Sequence, residues 1–235
     1  MSERNPLEPT AAFAELGRIN LAENDLQQVL TKVSDLAKRT IPGATEVSVT
    51  LLRGDRATTA AYTGDLALHL DEQQYQRGYG PCLDAAHAGG TVHIADMTTE
   101  SRWPDYTPRA VEHGAHSSLS VCLPVQQAVT GALNIYAVAS NAFDEEALTL
   151  AQTFAGYAAV AVANAHLYAT TAALAEQMQE AMASRAIIEQ AKGILIAQVH
   201  CTPEQAFDLL TRQSQHTNRK LREIAQAIVD AAQQA

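Results

Sequence analysis

Glu46-Val47-Ser48-Val49-Thr50-Leu51-Leu52-Arg53-Gly54-Asp55 decides the fold class. Val47, Val49 and Leu51 alternate with Ser48 and Thr50, the period-two pattern of a half-buried strand. Arg53-Gly54-Asp55 supplies a turn, and residues 57–63 return as the antiparallel partner. Upstream, residues 25–39 set Leu26, Val29, Leu30, Val33 and Leu36 at helical spacing, and Ile41-Pro42-Gly43 stops that helix. A shorter helix over 10–21 precedes it, behind a polar, proline-punctuated tail of ten residues. Downstream, Gly78-Tyr79-Gly80-Pro81 breaks the chain. Residues 82–88 then form one or two helical turns, 91–95 a short strand and 103–113 a helix behind Pro104. Residues 118–124 and 131–139 are the clearest later strands. Helices, a hairpin, an irregular insert, a strand, a helix and two more strands predict an α+β fold. Its sheet is antiparallel and flanked by helices, unlike the parallel sheet of alternating βα units.

From Phe143-Asp144-Glu145-Glu146 the pattern becomes helical, with Asp144 as cap and two glutamates at the positive helix start. No proline follows until Pro203. Val160, Leu167, Leu174, Ala181, Ile188 and Leu195 recur every seven residues, with Asn164, Thr171 and Met178 as a weaker second seam. Two arrangements fit: a continuous stalk that joins a parallel homodimer through Val160, Leu167, Leu174 and Met178, or two helices broken near Ser184. The end of the chain is well punctuated. Thr202-Pro203-Glu204-Gln205 carries a capping threonine, proline at the first helical position and glutamine three residues after the cap. Ala206, Leu209 and Leu210 give that helix a face; Asn218 caps the next, whose face is Leu221, Ile224, Ala225, Ile228 and Val229. With Ile187, Ile188, Ala191, Ile194 and Leu195 they predict a small three-helix bundle.

Charge is unevenly spread. Residues 1–182 hold 10 Lys+Arg against 21 Asp+Glu, a balance of −11, whereas residues 183–235 hold 6 against 5, a balance of +1. Arg212, Arg219, Lys220 and Arg222 cluster in that last part, and a phosphate backbone needs only a local positive patch. Apolar residues at 47% exclude wholesale disorder. Cys82, Cys122 and Cys201 are far apart with no CxxC pair, which fits a reducing cytoplasm. No basic segment leads into an N-terminal apolar run, and no membrane partner is expected. The richest apolar stretch, 155–165, is alanine-heavy and shorter than the roughly 18–20 residues of a span.

Ala186-Ile187-Ile188-Glu189-Gln190-Ala191-Lys192-Gly193-Ile194-Leu195, then Thr202-Pro203-Glu204-Gln205-Ala206-Phe207, then Asn218-Arg219-Lys220-Leu221 and Ile224-Ala225, resemble the ANTAR domain over residues 180–235. Gly78-Tyr79-Gly80-Pro81-Cys82, Ile94-Ala95-Asp96, Arg102-Trp103-Pro104, and Gly131-Ala132-Leu133-Asn134-Ile135-Tyr136 with Phe143-Asp144, resemble a GAF domain over residues 10–168. Together they are similar to the GAF–ANTAR regulators of actinobacteria. The resemblance implies a GAF sensor (10–168), a coiled-coil helical linker (169–183) and an ANTAR RNA-binding domain (184–235). It implies signal-responsive transcription antitermination by binding RNA hairpin loops in mRNA leaders. GAF domains bind cyclic nucleotides, tetrapyrroles, metals or other small molecules, so no cofactor or particular ligand is named.

On this resemblance the RNA-binding residues are Arg185, Gln190, Lys192, Gly193, Arg212, Asn218, Arg219 and Lys220. Gly193 inside a helix needs a reason, since alanine is better there by about 1 kcal/mol. Close approach of a phosphate or of a neighbouring helix would each supply one. Phe207, the one aromatic of this part, is expected in the core, leaving base stacking to Arg planes or His216. Cys82 and Cys122 are candidate ligand-binding residues of the sensor, with Cys82 at or beside its pocket. No catalytic residues and no metal ligands are assigned. Ser117-Ser118 lacks a nucleophile elbow, and His87, His93, His113 and His116 make no closed four-ligand spacing. The alternatives are a DNA-binding transcription regulator, and a small-molecule or redox sensor acting through protein contacts.

Overall fold

Strict alternation along three long strands sorts the first part of the chain into two layers. In the computed structural model, which describes residues 7–54, 56–126 and 129–234, five strands form one antiparallel sheet. They are β1 (Glu46–Arg53), β2 (Arg56–Tyr62), β3 (Thr91–Ile94), β4 (Ser117–Gln126) and β5 (Val129–Ala137), in the order β2-β1-β5-β4-β3. Of the ten residues expected as a loose tail, 1–6 lie outside the described residues, as does the turn residue Asp55; the rest of the tail is ordered, with the Leu7 N–H donating to the Arg39 carbonyl at 2.8 Å and a helix beginning at Pro9.

Register aligns parity across strands. Val47 pairs with Ile135 and Val49 with Leu133, while Leu119 and Val121 meet the same two residues from the other side. This apolar face buries against α1 (Pro9–Gly17), α2 (Leu26–Thr40) and the first turns of α6 (Glu145–Val199). Each aliphatic side chain fully buried there stabilises by roughly 1.5–3 kcal/mol. A capping box starts α2: Asp25 Oδ1 accepts from the Gln28 N–H at 2.8 Å and Gln28 Oε1 from the Asp25 N–H at 2.9 Å. Gly131 lies in β5 where a Cβ would come within 2.5 Å of the Thr50 carbonyl oxygen, so only glycine allows this strand approach.

The opposite face packs under α3 (Asp65–Arg77), α4 (Pro81–Ala88) and α5 (Thr107–Glu112). α3 occupies part of the segment read as an irregular insert. Its inward face is Ala67, Leu70, Asp71 and Gln74, all buried, so the helical period runs through two polar residues and leaves no hydropathy signal. α1 stops at Gly17, short of residue 21, and α5 is confined to the last turns of the expected 103–113 helix.

Asp144 caps α6, its Oδ1 accepting from the Ala147 N–H at 2.8 Å. The helix then runs unbroken to Val199 through Ser184, so no break occurs there. The chain forms two compact units, one ending at Ala169 and the other beginning at Thr170. Residues 147–175 contain no Asp, Glu, Lys or Arg. α6 is long and apolar enough, by length and composition, to cross a membrane, with hydropathy 1.3 over its 18-residue window. That corrects the expectation that no window approaches a span, because many alanines together raise the mean as larger side chains would. Part of this stretch, including Phe154, Ala158 and Val162, is buried in the core of the first unit.

The second unit combines the end of α6 with α7 (Pro203–Thr217) and α8 (Leu221–Gln233) around Ala191, Leu210, Ile224, Ala225 and Val229. Thr202 and Gln205 form the expected capping box, with Thr202 Oγ1 accepting from the Gln205 N–H at 3.3 Å. Two expectations are corrected. Asn218 adopts the left-handed conformation (φ 52°) and closes α7, while Lys220 precedes α8 without a side-chain cap. Phe207 and Leu209 are 43% and 42% exposed, because a core this thin is filled by Ala206 and Leu210 alone from α7.

Five buried residues hold this bundle together, so Leu210→Ala should cost about 2–5 kcal/mol. We expect amide hydrogen exchange to show loss of protection in α7 and α8 and unchanged protection in β4 and β5.

Candidate functional site

Two places concentrate chemistry, and the first is buried. The even-numbered side chains of β1, β4 and β5 share the sheet face toward α3–α5, and most are polar: Ser48, Thr50, Ser118, Ser120, Asn134 and Tyr136, all buried. Opposite them α3 contributes Asp71 and Gln74, both fully buried. Asp71 Oδ1 accepts from Tyr136 Oη at 2.6 Å and Asn134 Nδ2 at 3.2 Å, and its Oδ2 accepts from Thr59 Oγ1 at 2.8 Å. Asn134 Nδ2 also lies 2.8 Å from Thr50 Oγ1 and 3.2 Å from Ser48 Oγ, three oxygens for two hydrogens. Gln74 Nε2 donates to Tyr136 Oη at 3.2 Å, and Gln74 Oε1 accepts from the Cys82 N–H at 2.8 Å, which ties the start of α4 to α3.

Burial pushes the Asp71 carboxyl from its usual 3.8 up to about 6, against hydrogen bonds from Tyr136, Ser48, Thr59 and Tyr75 that favour the ionised form. Burial likewise pushes up the Tyr75, Tyr106 and Tyr136 hydroxyls, with the Asp71 charge adding to it. Of the six buried polar atoms without a hydrogen-bond partner among the described residues, four belong to this layer: Tyr106 Oη, Ser118 Oγ, Ser120 Oγ and Asn134 Oδ1. Each such group costs about 1–3 kcal/mol when closed away from water.

Cys82 and Cys122 border this layer. Cys82 is buried with Leu52, Leu83, Ala86 and Ala132. Cys122 Sγ lies 3.9 Å from the Ala86 carbonyl oxygen. Burial holds the Cys82 thiol well above its ordinary value, so it does not form a ready nucleophile. Sequence reasoning named these two cysteines and missed Asp71, Asn134, Tyr136, Tyr106, Ser118 and Ser120. The shared even parity was legible, but alternation alone assigns such residues to solvent.

The second place is the surface of the C-terminal unit. Arg185, Gln190, Gly193, Arg212, Asn218, Arg219 and Lys220 are exposed there, with Lys192 half-buried. Lys192 Nζ is 3.0 Å from both Glu189 carboxylate oxygens, and Arg219 Nε is 3.5 Å from Glu223 Oε2. Surface pairs of this kind contribute about 0–1 kcal/mol, so a polyanion can displace them. Among the described residues no ion pair involves Arg185, Arg212 or Lys220. Thr202 and the α7 backbone hold the Glu204 carboxyl below its usual range, with Lys192 contributing. A Cβ on Gly193 would meet nothing within 4 Å beyond its own helix, so helix packing in this unit does not explain the glycine. Ser214 Oγ donates to the Arg219 carbonyl at 2.5 Å and fixes the corner that carries Asn218, Arg219 and Lys220.

A family model described as GAF domain matches residues 23–163, and one described as ANTAR domain matches residues 176–229. The comparison with curated proteins gives no match. Among solved structures, the GAF domain of a phosphoenolpyruvate-protein phosphotransferase from Coxiella burnetii is 17% identical with a TM-score of 0.51, over 71% of this chain and 99% of that one. The phycoerythrobilin-bound GAF domain of a cyanobacterial phytochrome is 15% identical with a TM-score of 0.53, over 68% of this chain and 97% of that one. Free methionine-R-sulfoxide reductase from Neisseria meningitidis, in complex with its substrate, is 20% identical with a TM-score of 0.52, over 70% of this chain and 91% of that one. Identities of this size establish the fold alone.

The buried carboxyl has a signature in solution. Its folded value of about 6 lies above its unfolded 3.8, so the folded state holds the proton more tightly. The stability this gives is fully present below pH 3.8 and is lost as pH rises through 6, about 3 kcal/mol in all. Tyr75, Tyr106, Tyr136 and Cys82 stay neutral across that window. Urea unfolding from pH 4 to 7.5 should show a downward slope in the wild type that Asp71→Asn flattens.

Proposed function

The chain belongs to the GAF domain family and carries an ANTAR domain behind the GAF domain, and from that premise we propose that it is a signal-responsive, RNA-binding transcription antitermination regulator acting in the cytoplasm. The first unit receives the signal, and the second binds hairpin loops in nascent mRNA leaders. We assign residues 10–168 to the sensor, 169–183 to a coiled-coil linker and 184–235 to the RNA-binding domain. One coincidence carries the proposal: the ANTAR match covers most of residues 183–235, whose balance is +1 in a chain of net charge −10. Arg185, Lys192, Arg212, Arg219 and Lys220 meet phosphates, Gln190 and Asn218 read base edges, and Gly193 lets backbone and phosphate approach closely. The exposed Phe207 adds an apolar ring on which a loop base can stack.

A second copy is the partner of the exposed apolar positions of α6. Val160, Leu167, Leu174 and Met178 are 59%, 56%, 57% and 58% exposed in the single chain, whereas Ile188 and Leu195 turn into the C-terminal core. The heptad therefore forms a seam only over its first half, and that half joins the homodimer. A reductase activity like that of the Neisseria protein has no support in the cysteines of the first unit, since burial disfavours the Cys82 thiolate and leaves Cys122 only 9% exposed. A regulatory, non-enzymatic role is the better fit.

RNA binding is tested by titrating a paired-hairpin RNA, an arbitrary duplex RNA and a duplex DNA at several salt concentrations. The paired hairpins should bind best, because a dimer offers two surfaces at high effective concentration. Lys192→Ala and Arg212→Ala should each weaken binding and reduce the log–log salt slope by a little under one. Gly193→Ala should stabilise the helix by about 1 kcal/mol yet weaken RNA binding, a combination that a folding defect cannot produce. Equal affinity for duplex DNA, with Lys192→Ala silent, would sink the antitermination role.

Assembly is tested separately. Leu167→Asp combined with Leu174→Asp places charge in the seam, and analytical ultracentrifugation should find monomers. A dimer that persists rules out this stretch as the interface.

A further inference from the structure

The buried polar layer of the first unit has an imbalance that names the chemistry of what it holds. Asp71 accepts on both carboxylate oxygens, from Tyr136 and Asn134 on Oδ1 and from Thr59 on Oδ2, and every one of these partners is uncharged. Asn134 Oδ1 accepts none, while the hydroxyls of Ser118, Ser120 and Tyr106 can turn to either role and have no partner. The layer thus presents a carboxylate, one unpartnered carbonyl acceptor and three hydroxyls that can play either role. It is also without positive charge: no Lys, Arg or His is buried anywhere among the described residues. A carboxylate in such surroundings is stabilised by a cation brought to it, while an anion adds to its charge.

We propose that the layer between β1, β4, β5 and α3–α5 is a binding site for a small cationic molecule carrying N–H donors. Asp71 and Asn134 Oδ1 accept from it, and the hydroxyls of Ser118, Ser120 and Tyr106 complete its hydrogen bonds. This rests on the assignment of the first unit as the sensor and adds the chemical class of the signal. Entry is through the α3–α4 connection. Gly78 and Gly80 both have positive φ, 70° and 156°, and a Cβ on Gly80 would come within 2.4 Å of Gln74 Oε1. Two side chains latch this flap: Gln74 on the Cys82 N–H at 2.8 Å, and Tyr79 Oη, which donates to Asp105 Oδ2 at 3.0 Å. Releasing these bonds, together with those from the Asp105 N–H to Tyr79 Oη at 3.3 Å and from Trp103 Nε1 to Asp84 Oδ2 at 2.9 Å, lets α4 move about the two glycine joints without disturbing the apolar core on the other face of the sheet.

The test uses the full chain and three isosteric probes: acetamidinium (cation), acetamide (neutral) and acetate (anion), measured by calorimetric titration at pH 7.5. Acetamidinium should bind at least tenfold more tightly than either of the others. Asp71→Asn should remove that preference, and Ser118→Ala with Ser120→Ala should weaken acetamidinium severalfold while leaving circular dichroism unchanged. The serine pair carries the test if Asp71→Asn does not fold. Acetamide or acetate binding as well as acetamidinium overturns the proposal, as does no binding at all or binding indifferent to these substitutions. Hairpin RNA affinity measured with and without each probe separates the two layers of inference. Acetamidinium that binds at Asp71 without altering RNA affinity supports the site and removes its signalling role. Acetate or acetamide that binds better and does alter RNA affinity keeps the sensor and overturns the cationic class.

Discussion

One buried carboxyl organises the first unit. Asp71 reaches from α3 to Tyr136 and Asn134 on β5 and to Thr59 on β2, and Asn134 in turn meets Ser48 and Thr50 on β1. A helix normally docks on a sheet by burying an apolar stripe; α3 docks partly through a polar one. The two kinds of docking differ in what they permit. Apolar packing loses its van der Waals contacts and gains nothing when pulled apart, whereas a polar layer regains hydration. With Tyr106, Ser118, Ser120 and Asn134 each leaving an atom unsatisfied, the closed layer carries most of the unpartnered buried polar atoms among the described residues. The sheet thus has one face that fixes the fold and one that can respond.

This division explains what the sequence disclosed. Val47, Val49 and Leu51 announced β1, and Leu26 to Leu36 announced α2, because both belong to the apolar face. α3 stayed hidden because its inward positions include Asp71 and Gln74, residues that hydropathy assigns to solvent. Ser48 and Thr50 occupy the polar positions of an alternating strand, yet they are buried together with Ser118, Ser120 and Asn134. The residues of the candidate site obscured the site, since period-two and period-3.6 patterns detect burial only when burial is apolar.

The C-terminal unit was legible for the opposite reason. Its helices begin and end on local chemistry, such as the Thr202–Gln205 box, which sequence reports directly. Asn218 misled because asparagine serves equally as an N-cap and as a left-handed residue closing a helix, and only the neighbouring geometry decides. Phe207 misled because a five-residue core has no room for it, whatever its hydropathy. The heptad from Val160 to Leu195 was continuous as a pattern and divided as a structure: its early members are exposed, its late members partly buried against the small bundle.

The polar layer and the apolar core are coupled through strand geometry. Asn134 and Tyr136 face Asp71, while Leu133 and Ile135, their immediate neighbours on β5, pack in the core that holds Ala147, Ala151, Phe154 and Ala155 of α6. Successive residues of a strand point to opposite faces and cannot move independently. A shift of β5 that re-seats Asn134 and Tyr136 must therefore displace Leu133 and Ile135 under α6. Close-packed interiors accommodate such a displacement by switching between discrete arrangements, not by continuous deformation. α6 runs without proline from that contact to Ala191, where it becomes part of the RNA-binding unit. The two faces of the sheet are thus coupled through β5, and the apolar core is where that coupling meets the first turns of α6.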